Sequence, residues 1–239
     1  FINAMGRMAE VEGISQLYVD LRMKLYIDPE VVKKEYDNSP SWLKDLMNAW
    51  AAGINYYLHT HPEVKPKLLT KFEPWMALTF SEGSIGGDIE TISPNGLKVF
   101  YDNKAHAFLT YVERDWEEEP KGSNGFARAP KLSKSGNAML MINPHTSFYF
   151  RPEVHVVSEE GLNAYGAVTW GQFFVYQGFN EFCGWMHTSS NADVADTYLE
   201  KIVKKNDGYY YEYEGKLRKV TSKKVEINYL NEGNILKRT

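Results

Sequence analysis

The chain has 239 residues, 43% of them hydrophobic and 24% charged, with a formal net charge of -4. That is enough apolar material for one large domain or two small ones, and too little positive charge for a dedicated nucleic-acid binder. No apolar run is long enough to span a membrane, and the single cysteine, Cys183, excludes an internal disulfide and a cysteine-rich metal site.

Phe1 to Glu10 lacks a signal-peptide pattern and reads as the middle of a helix. Asn234 to Thr239 stops just after a strand pattern, so the chain reads as a piece of a larger protein. Residues 1–92 are helical in pattern. From Ser41 to Leu58, the residues Leu43, Leu46, Met47, Trp50, Ile54, Tyr57 and Leu58 recur at three- and four-residue spacing and form one apolar stripe. Ser41 reads as the N-cap after Pro40, and His61-Pro62 ends the run. Gly53 inside it costs about 1 kcal/mol against alanine and leaves room for a close helix contact. A second helix is expected from Pro74 to about Gly86. Between Gly87 and Lys121 the pattern weakens, and residues 93–122 read as a spacer.

Residues 123–239 are β in pattern. Strands are expected at Phe126–Ala129, Ala138–Ile142, Phe148–Val157, Ala164–Trp170, Phe173–Gly178, Tyr198–Val203, Tyr209–Glu214 and Lys219–Leu230. Gly136-Asn137, Glu160-Gly161, Asn206-Asp207-Gly208 and Glu214-Gly215 supply the turns. Helices first and antiparallel strands after give an α+β class, not alternating βαβ units. Lys204-Lys205 and Lys223-Lys224 read as solvated faces, and Cys183 as a small buried hydrophobe.

The chemistry centres on Gly122-Ser123-Asn124-Gly125. This tetrapeptide lies between the charged, Pro-interrupted stretch Asp115 to Lys121 and the first strand. Taken alone it is turn chemistry. Peptide cleavage before Ser123, however, frees an α-amine beside its own hydroxyl, and such an amine, with a reference pKa of about 7.7–8.0, acts as a base near neutrality. The chain has no G-x-S-x-G elbow, P-loop, G-x-G-x-x-G or H-E-x-x-H. His59-Thr60-His61 sits at a helix end without carboxylate or cysteine partners close in sequence, which does not make a metal site. A Ser123-His145-Asp triad can be drawn, but spacing does not test it, because triads are defined by geometry.

The residues around Ser123 resemble the penicillin acylase family of N-terminal-nucleophile hydrolases. The similar text is Gly122 to Ala127, then Ser135-Gly136-Asn137-Ala138 through Asn143-Pro144-His145, Gly178-Phe179-Asn180, Trp185-Met186-His187-Thr188-Ser189 and Asp193-Val194-Ala195-Asp196. In the helical part the similar segments are Gly6-Arg7-Met8-Ala9-Glu10, Gly53-Ile54-Asn55 and Phe72-Glu73-Pro74-Trp75. The ordered set covers nearly the whole chain.

The resemblance implies a partial αββα N-terminal-nucleophile sandwich of antiparallel sheets and helices. It implies autocleavage between Gly122 and Ser123, with Ser123 as nucleophile and base. It places an oxyanion-hole N–H at Ser189 and His145 beside Ser123, where its backbone or side chain positions the amine or the substrate. Thr146, Ile85 and Ile89 fall at substrate-binding positions. Asp193, Asp196 and the carbonyl of Ala195 would ligate a structural Ca²⁺. Phe148, Tyr149, Phe150, Trp170, Phe173, Phe174 and Tyr176 either line an acyl pocket or are plain core. The implied reaction is amide hydrolysis of a small N-acyl substrate such as a penicillin, an acyl-homoserine lactone or a lipopeptide. The implied setting is a periplasmic or secreted α/β heterodimer whose remainder is a partner of this segment. The alternative is a non-catalytic binding or assembly module on the same fold. The sequence departs from the family pattern in four places: Met186 replaces a glycine, the spacer is short, the first segments of the family's α chain fall outside this segment, and the family's second oxyanion donor, an asparagine, falls beyond it.

Overall fold

The computed structural model describes residues 1–79, 92–102, 123–145, 152–169, 171–188, 198 and 200–239. In these, helices come first and antiparallel strands follow, an α+β arrangement. The helices are α1 (Ala9–Glu12), α2 (Leu17–Tyr26), α3 (Pro29–Asn38), α4 (Ser41–Thr60) and α5 (Pro94–Asp102), with a 3₁₀ turn at Pro74–Thr79. The strands are β1 (Ser123–Arg128), β2 (Met139–Pro144), β3 (Glu153–Val157), β4 (Asn163–Ala167), β5 (Gln177–Asn180), β6 (Gly184–Trp185), β7 (Ile202–Lys205), β8 (Gly208–Tyr213), β9 (Lys216–Lys219), β10 (Ile227–Asn231) and β11 (Asn234–Arg238). They form a β1-β2 hairpin, a β3-β4-β5-β6 sheet, a β7-β8-β9 sheet and a β10-β11 hairpin.

The long apolar stripe becomes α4, with Met47 and Ala51 buried and Trp50 turned into an aromatic cluster. Leu46 and Tyr57 of that stripe remain exposed. Phe1, Trp50 and Phe72 meet edge to face, with ring centroids 5.3, 5.5 and 6.5 Å apart. Beneath them lie Met5, Val32, Leu69, Trp75 and Met76. Asn55 fixes this packing. Its Nδ2 donates to the Phe72 carbonyl at 2.7 Å, and its Oδ1 accepts the Phe72 N–H at 2.8 Å. One side chain thereby satisfies both backbone groups of a residue that belongs to no strand.

Several sequence expectations change. Residues 1–6 are hydrogen-bonded turns, not helix, because Gly6 adopts φ +60° and packs against the Asp20 carbonyl and the Lys24 side chain. The cap position before α4 is Pro40 and not Ser41, and no side chain caps that end. Among the described residues nothing lies within 4 Å of a would-be Gly53 Cβ, so no close helix contact explains this glycine. Of the expected Pro74–Gly86 helix, the described part is the 3₁₀ turn, and the rest lies outside the described residues. Helix α5 occupies the start of the stretch read as a spacer. Lys219–Leu230 is two strands, β9 and β10, separated by irregular chain. Cys183 is exposed, not buried.

The two ends of the chain hold each other. Ala9 and Leu17 pack on Ile227 of β10, with Tyr18, Leu21, Val225 and Tyr229 around them. Asp102 at the end of α5 accepts from Tyr18 and, at 2.6 Å, from Arg238 of β11. Fully buried Asp20 of α2 accepts the N–H groups of Met8 and Ala9 at 2.8 and 2.7 Å, satisfying donors at the start of α1 that have no intrahelical partner. Arg7 and Glu10 form a two-pronged ion pair beside it, both bonds 2.7 Å.

Burial raises the Asp20 carboxyl above the ordinary carboxylate value, and the two amide bonds oppose that rise. The folded state therefore binds this proton more tightly than the unfolded chain. The resulting stabilisation is full below the ordinary carboxylate pKa and is lost as pH rises through the raised value. In Asp20→Asn a carboxamide NH₂ faces one backbone N–H, which should cost about 1–3 kcal/mol in urea unfolding. The same series at several pH values should show this fall of stability with pH disappearing in the variant.

Candidate active site

Ser123 is the first residue of β1 and is half-buried. Its register partner in β2 is Pro144, and Asn124 pairs with Asn143. Side chains alternate across a strand, so Ser123, Gly125 and Ala127 share one face of the hairpin with Leu140, while Asn124, Asn143 and His145 share the other. The hydrogen bonds agree. Asn124 Nδ2 lies 3.1 Å and Asn143 Nδ2 3.4 Å from His145 Nε2. His145 reaches Ser123 through its backbone: its N–H donates to Ser123 Oγ at 3.3 Å. The imidazole is engaged on the opposite face, which argues against the Ser123-His145 dyad that a triad would need.

Gly184 to Thr188 touch the Ser123 face, which stays largely exposed. A Cβ on Gly184 would come within 2.5 Å of Leu140 Cδ2, and a Cβ on Gly125 would overlap Met186 Sδ. Thr188 Oγ1 donates to the Ser123 carbonyl at 3.0 Å. Leu140 of β2 lies opposite Ala127, so Gly184 at Leu140, Met186 at Gly125 and Thr188 at Ser123 meet the hairpin in steps of two residues. This segment runs antiparallel to β1 in a second layer. It is held from behind by β5, through the pairs Gly178–Trp185 and Phe179–Gly184 and by His187 stacked on Tyr176 at 4.5 Å. Met186 thus occupies the space that Gly125 leaves.

Ser123 and His145 are therefore brought together. Ile85, Ile89, Gly122, Thr146, Ser189, Asp193, Ala195 and Asp196 lie outside the described residues. So do Phe148, Tyr149, Phe150 and Trp170, while Phe173 and Phe174 meet edge to face at 5.6 Å with Phe174 exposed. Among the described residues no cluster of His, Cys, Asp or Glu could hold a metal ion. Two residues at the site carry contacts that sequence reasoning assigned no role. Thr188 was visible only as the threonine of the Trp185–Ser189 motif, and Met186 only as a departure from the family pattern. Among the described residues, the Gln177 carboxamide of β5 and the Thr169 hydroxyl just after β4 are buried without a hydrogen-bond partner.

A family model described as penicillin amidase matches residues 1–239. The chain is 22% identical to an acyl-homoserine lactone acylase QuiP of Pseudomonas fluorescens over 263 aligned positions, covering 91% of this chain and 32% of that protein. It is 24% identical to an acyl-homoserine lactone acylase PvdQ of Pseudomonas fluorescens, covering 77% of this chain and 27% of the relative. It is 27% identical to a PvdQ of Pseudomonas savastanoi pv. phaseolicola, covering 75% and 26%. The chain thus spans about a third or less of the length of these relatives.

The stacking of Met186 on Gly125 makes a coupling prediction. Gly125→Ala alone should destabilise by about 1–3 kcal/mol through overpacking. In a double-mutant cycle with Met186→Ala, most of that loss should be recovered, giving a coupling of at least about 1 kcal/mol in chemical unfolding. Additive losses would mean that the two layers do not meet as described.

Proposed function

The chain belongs to the penicillin amidase family, and on that premise we propose that it carries the nucleophile segment of an N-terminal-serine amide hydrolase. The observation that supports this best is the environment of Ser123. It opens an edge strand, and its Oγ accepts the His145 N–H at 3.3 Å. No side-chain base is needed in that setting, because the α-amine of a processed Ser123 supplies one. The fold proposed for the complete protein is the αββα sandwich of that class.

Processing comes first. Ser123 Oγ attacks the Gly122 carbonyl, and the peptide C–N bond breaks as the ester forms. Water then hydrolyses the ester, giving Gly122 a carboxylate and Ser123 its hydroxyl and a free α-amine. In turnover that amine takes the Oγ proton as Oγ attacks the substrate amide. The proton passes to the departing amine, an acyl-enzyme remains, and water releases the acid. The Ser189 N–H is the proposed donor to the tetrahedral oxyanion. His145, through its backbone, holds Oγ in place, while Thr146, Ile85 and Ile89 are proposed to contact the acyl group.

The substrate class is an N-acyl compound. The names of the relatives favour an acyl-homoserine lactone over a penicillin or a lipopeptide. Asp193, Asp196 and the Ala195 carbonyl are proposed ligands of a structural Ca²⁺. These three residues offer at most five oxygens, short of the six to eight that calcium takes, so further donors must complete the set. The remainder of the α/β heterodimer is a proposed partner, and a periplasmic or secreted setting belongs to the same reading. No helix among the described residues is long and apolar enough to cross a membrane.

Ser123→Ala should lower hydrolysis of an acyl-homoserine lactone by at least about 10⁴-fold while ligand binding persists. Retained hydrolysis in that variant would remove Ser123 from the reaction. Binding without turnover in the unmodified protein would favour the non-catalytic module. Adding a calcium chelator should lower the melting temperature, and calcium but not magnesium should restore it. An unchanged melting curve would remove the calcium site.

A further inference from the structure

A nucleophile that is also a chain terminus has a mechanical difficulty. Once the bond before it is cut, nothing on its N-terminal side holds it, and termini fray unless tied down. The orientation of the Ser123 α-amine and Cβ about the strand then depends on the torsion that joins Cα to the carbonyl carbon. Whatever fixes the Ser123 carbonyl fixes both reacting groups at once. The sheet ladder cannot supply a donor from the register partner of Ser123, because that partner is Pro144, which has no N–H. The donor comes from the second layer: Thr188 Oγ1 lies 3.0 Å from the Ser123 carbonyl.

We propose that Thr188 is a positioning residue for the nucleophile. Its hydroxyl locks the carbonyl of Ser123, while the His145 N–H holds Oγ from β2. The two bonds come from different layers and leave the N–Cα–Cβ unit one orientation. Threonine suits this duty, because its β-branch restricts χ1 where a serine would turn more freely. Thr188 also immediately precedes Ser189, the proposed oxyanion donor. The stacking of Met186 on Gly125 and of Gly184 on Leu140 holds that segment against β1. This inference rests on the reading of Ser123 as an N-terminal nucleophile.

Thr188→Val keeps the shape and removes the hydroxyl, and Thr188→Ser keeps the hydroxyl. Processing at Gly122/Ser123 is followed by intact mass, and kcat and KM are measured across pH. Thr188→Val should slow processing and lower kcat by about 10- to 100-fold, with KM unchanged within about threefold. The limb of its pH profile that reports the α-amine should move. Thr188→Ser should stay within about threefold of the unmodified protein with its pH profile in place. A Thr188→Val protein with unaltered kcat and pH profile would overturn the inference, as would Thr188→Ser falling along with it. If Thr188→Val folds poorly, the carbonyl ¹³C shift of residue 123 gives a second readout in the uncut Ser123→Ala background. It should move on adding Thr188→Val and stay on adding Thr188→Ser, and the absence of any shift difference would also overturn the inference. Failure of the underlying reading looks different: Ser123→Ala itself would still be cut or active.

Discussion

Ser123 is bonded to two separate layers, and the candidate site depends on that fact. Its Oγ takes the His145 N–H from the neighbouring strand, and its carbonyl takes the Thr188 hydroxyl from the segment packed above. A single neutral hydrogen bond is worth only about 0.5–1.5 kcal/mol net. Their value here is geometric, since two bonds from independent directions restrict a residue that, under the proposed processing, would keep only one backbone neighbour. Where this segment approaches, the Met186 and Leu140 side chains fill the room left by Gly125 and Gly184. The methionine that breaks the family pattern at position 186 and the glycine at position 125 are therefore one feature.

The helical part and the C-terminal hairpin are tied together by comparable means. Asp20 bonds the start of α1, Asn55 bonds the Phe72 backbone, and Ile227 enters the cluster around Ala9 and Leu17. Phe1 lies against Gly171, and Gln172 donates to the Ala77 carbonyl at 3.4 Å, so the helices also touch the chain that leads into β5. The exposed ion pairs, such as Lys219 with Asp207 and Lys237 with Glu226, add little to this, because solvent and salt screen them.

Periodicity and turn chemistry carried much of the fold in the sequence. The α4 stripe was readable because its spacing matches the helix repeat. The turns at Gly136, Gly161, Gly208 and Gly215 were readable because each glycine takes positive φ. The family motifs were readable as text, but their physical reasons were not. Nothing in the sequence singles out Asp20, and only the fold shows two amides pointing at it. The opening turn was mistaken for helix because Arg7, Met8, Ala9 and Glu10 are good helix formers, while the positive φ of Gly6 depends on how closely α2 approaches. At the site, Ser123 and His145 were legible as neighbours, yet which part of His145 faces the serine follows only from strand register. Thr188 was hidden, since it lies 65 residues along the chain from Ser123.

The central claim is that Ser123 becomes a chain terminus. Intact-mass spectrometry of the purified protein tests it without any assumption about substrate. The account predicts two polypeptides whose masses meet between Gly122 and Ser123, with the new terminus reacting as a free α-amine. A protein that stays a single uncut chain under conditions where it hydrolyses N-acyl amides would contradict it.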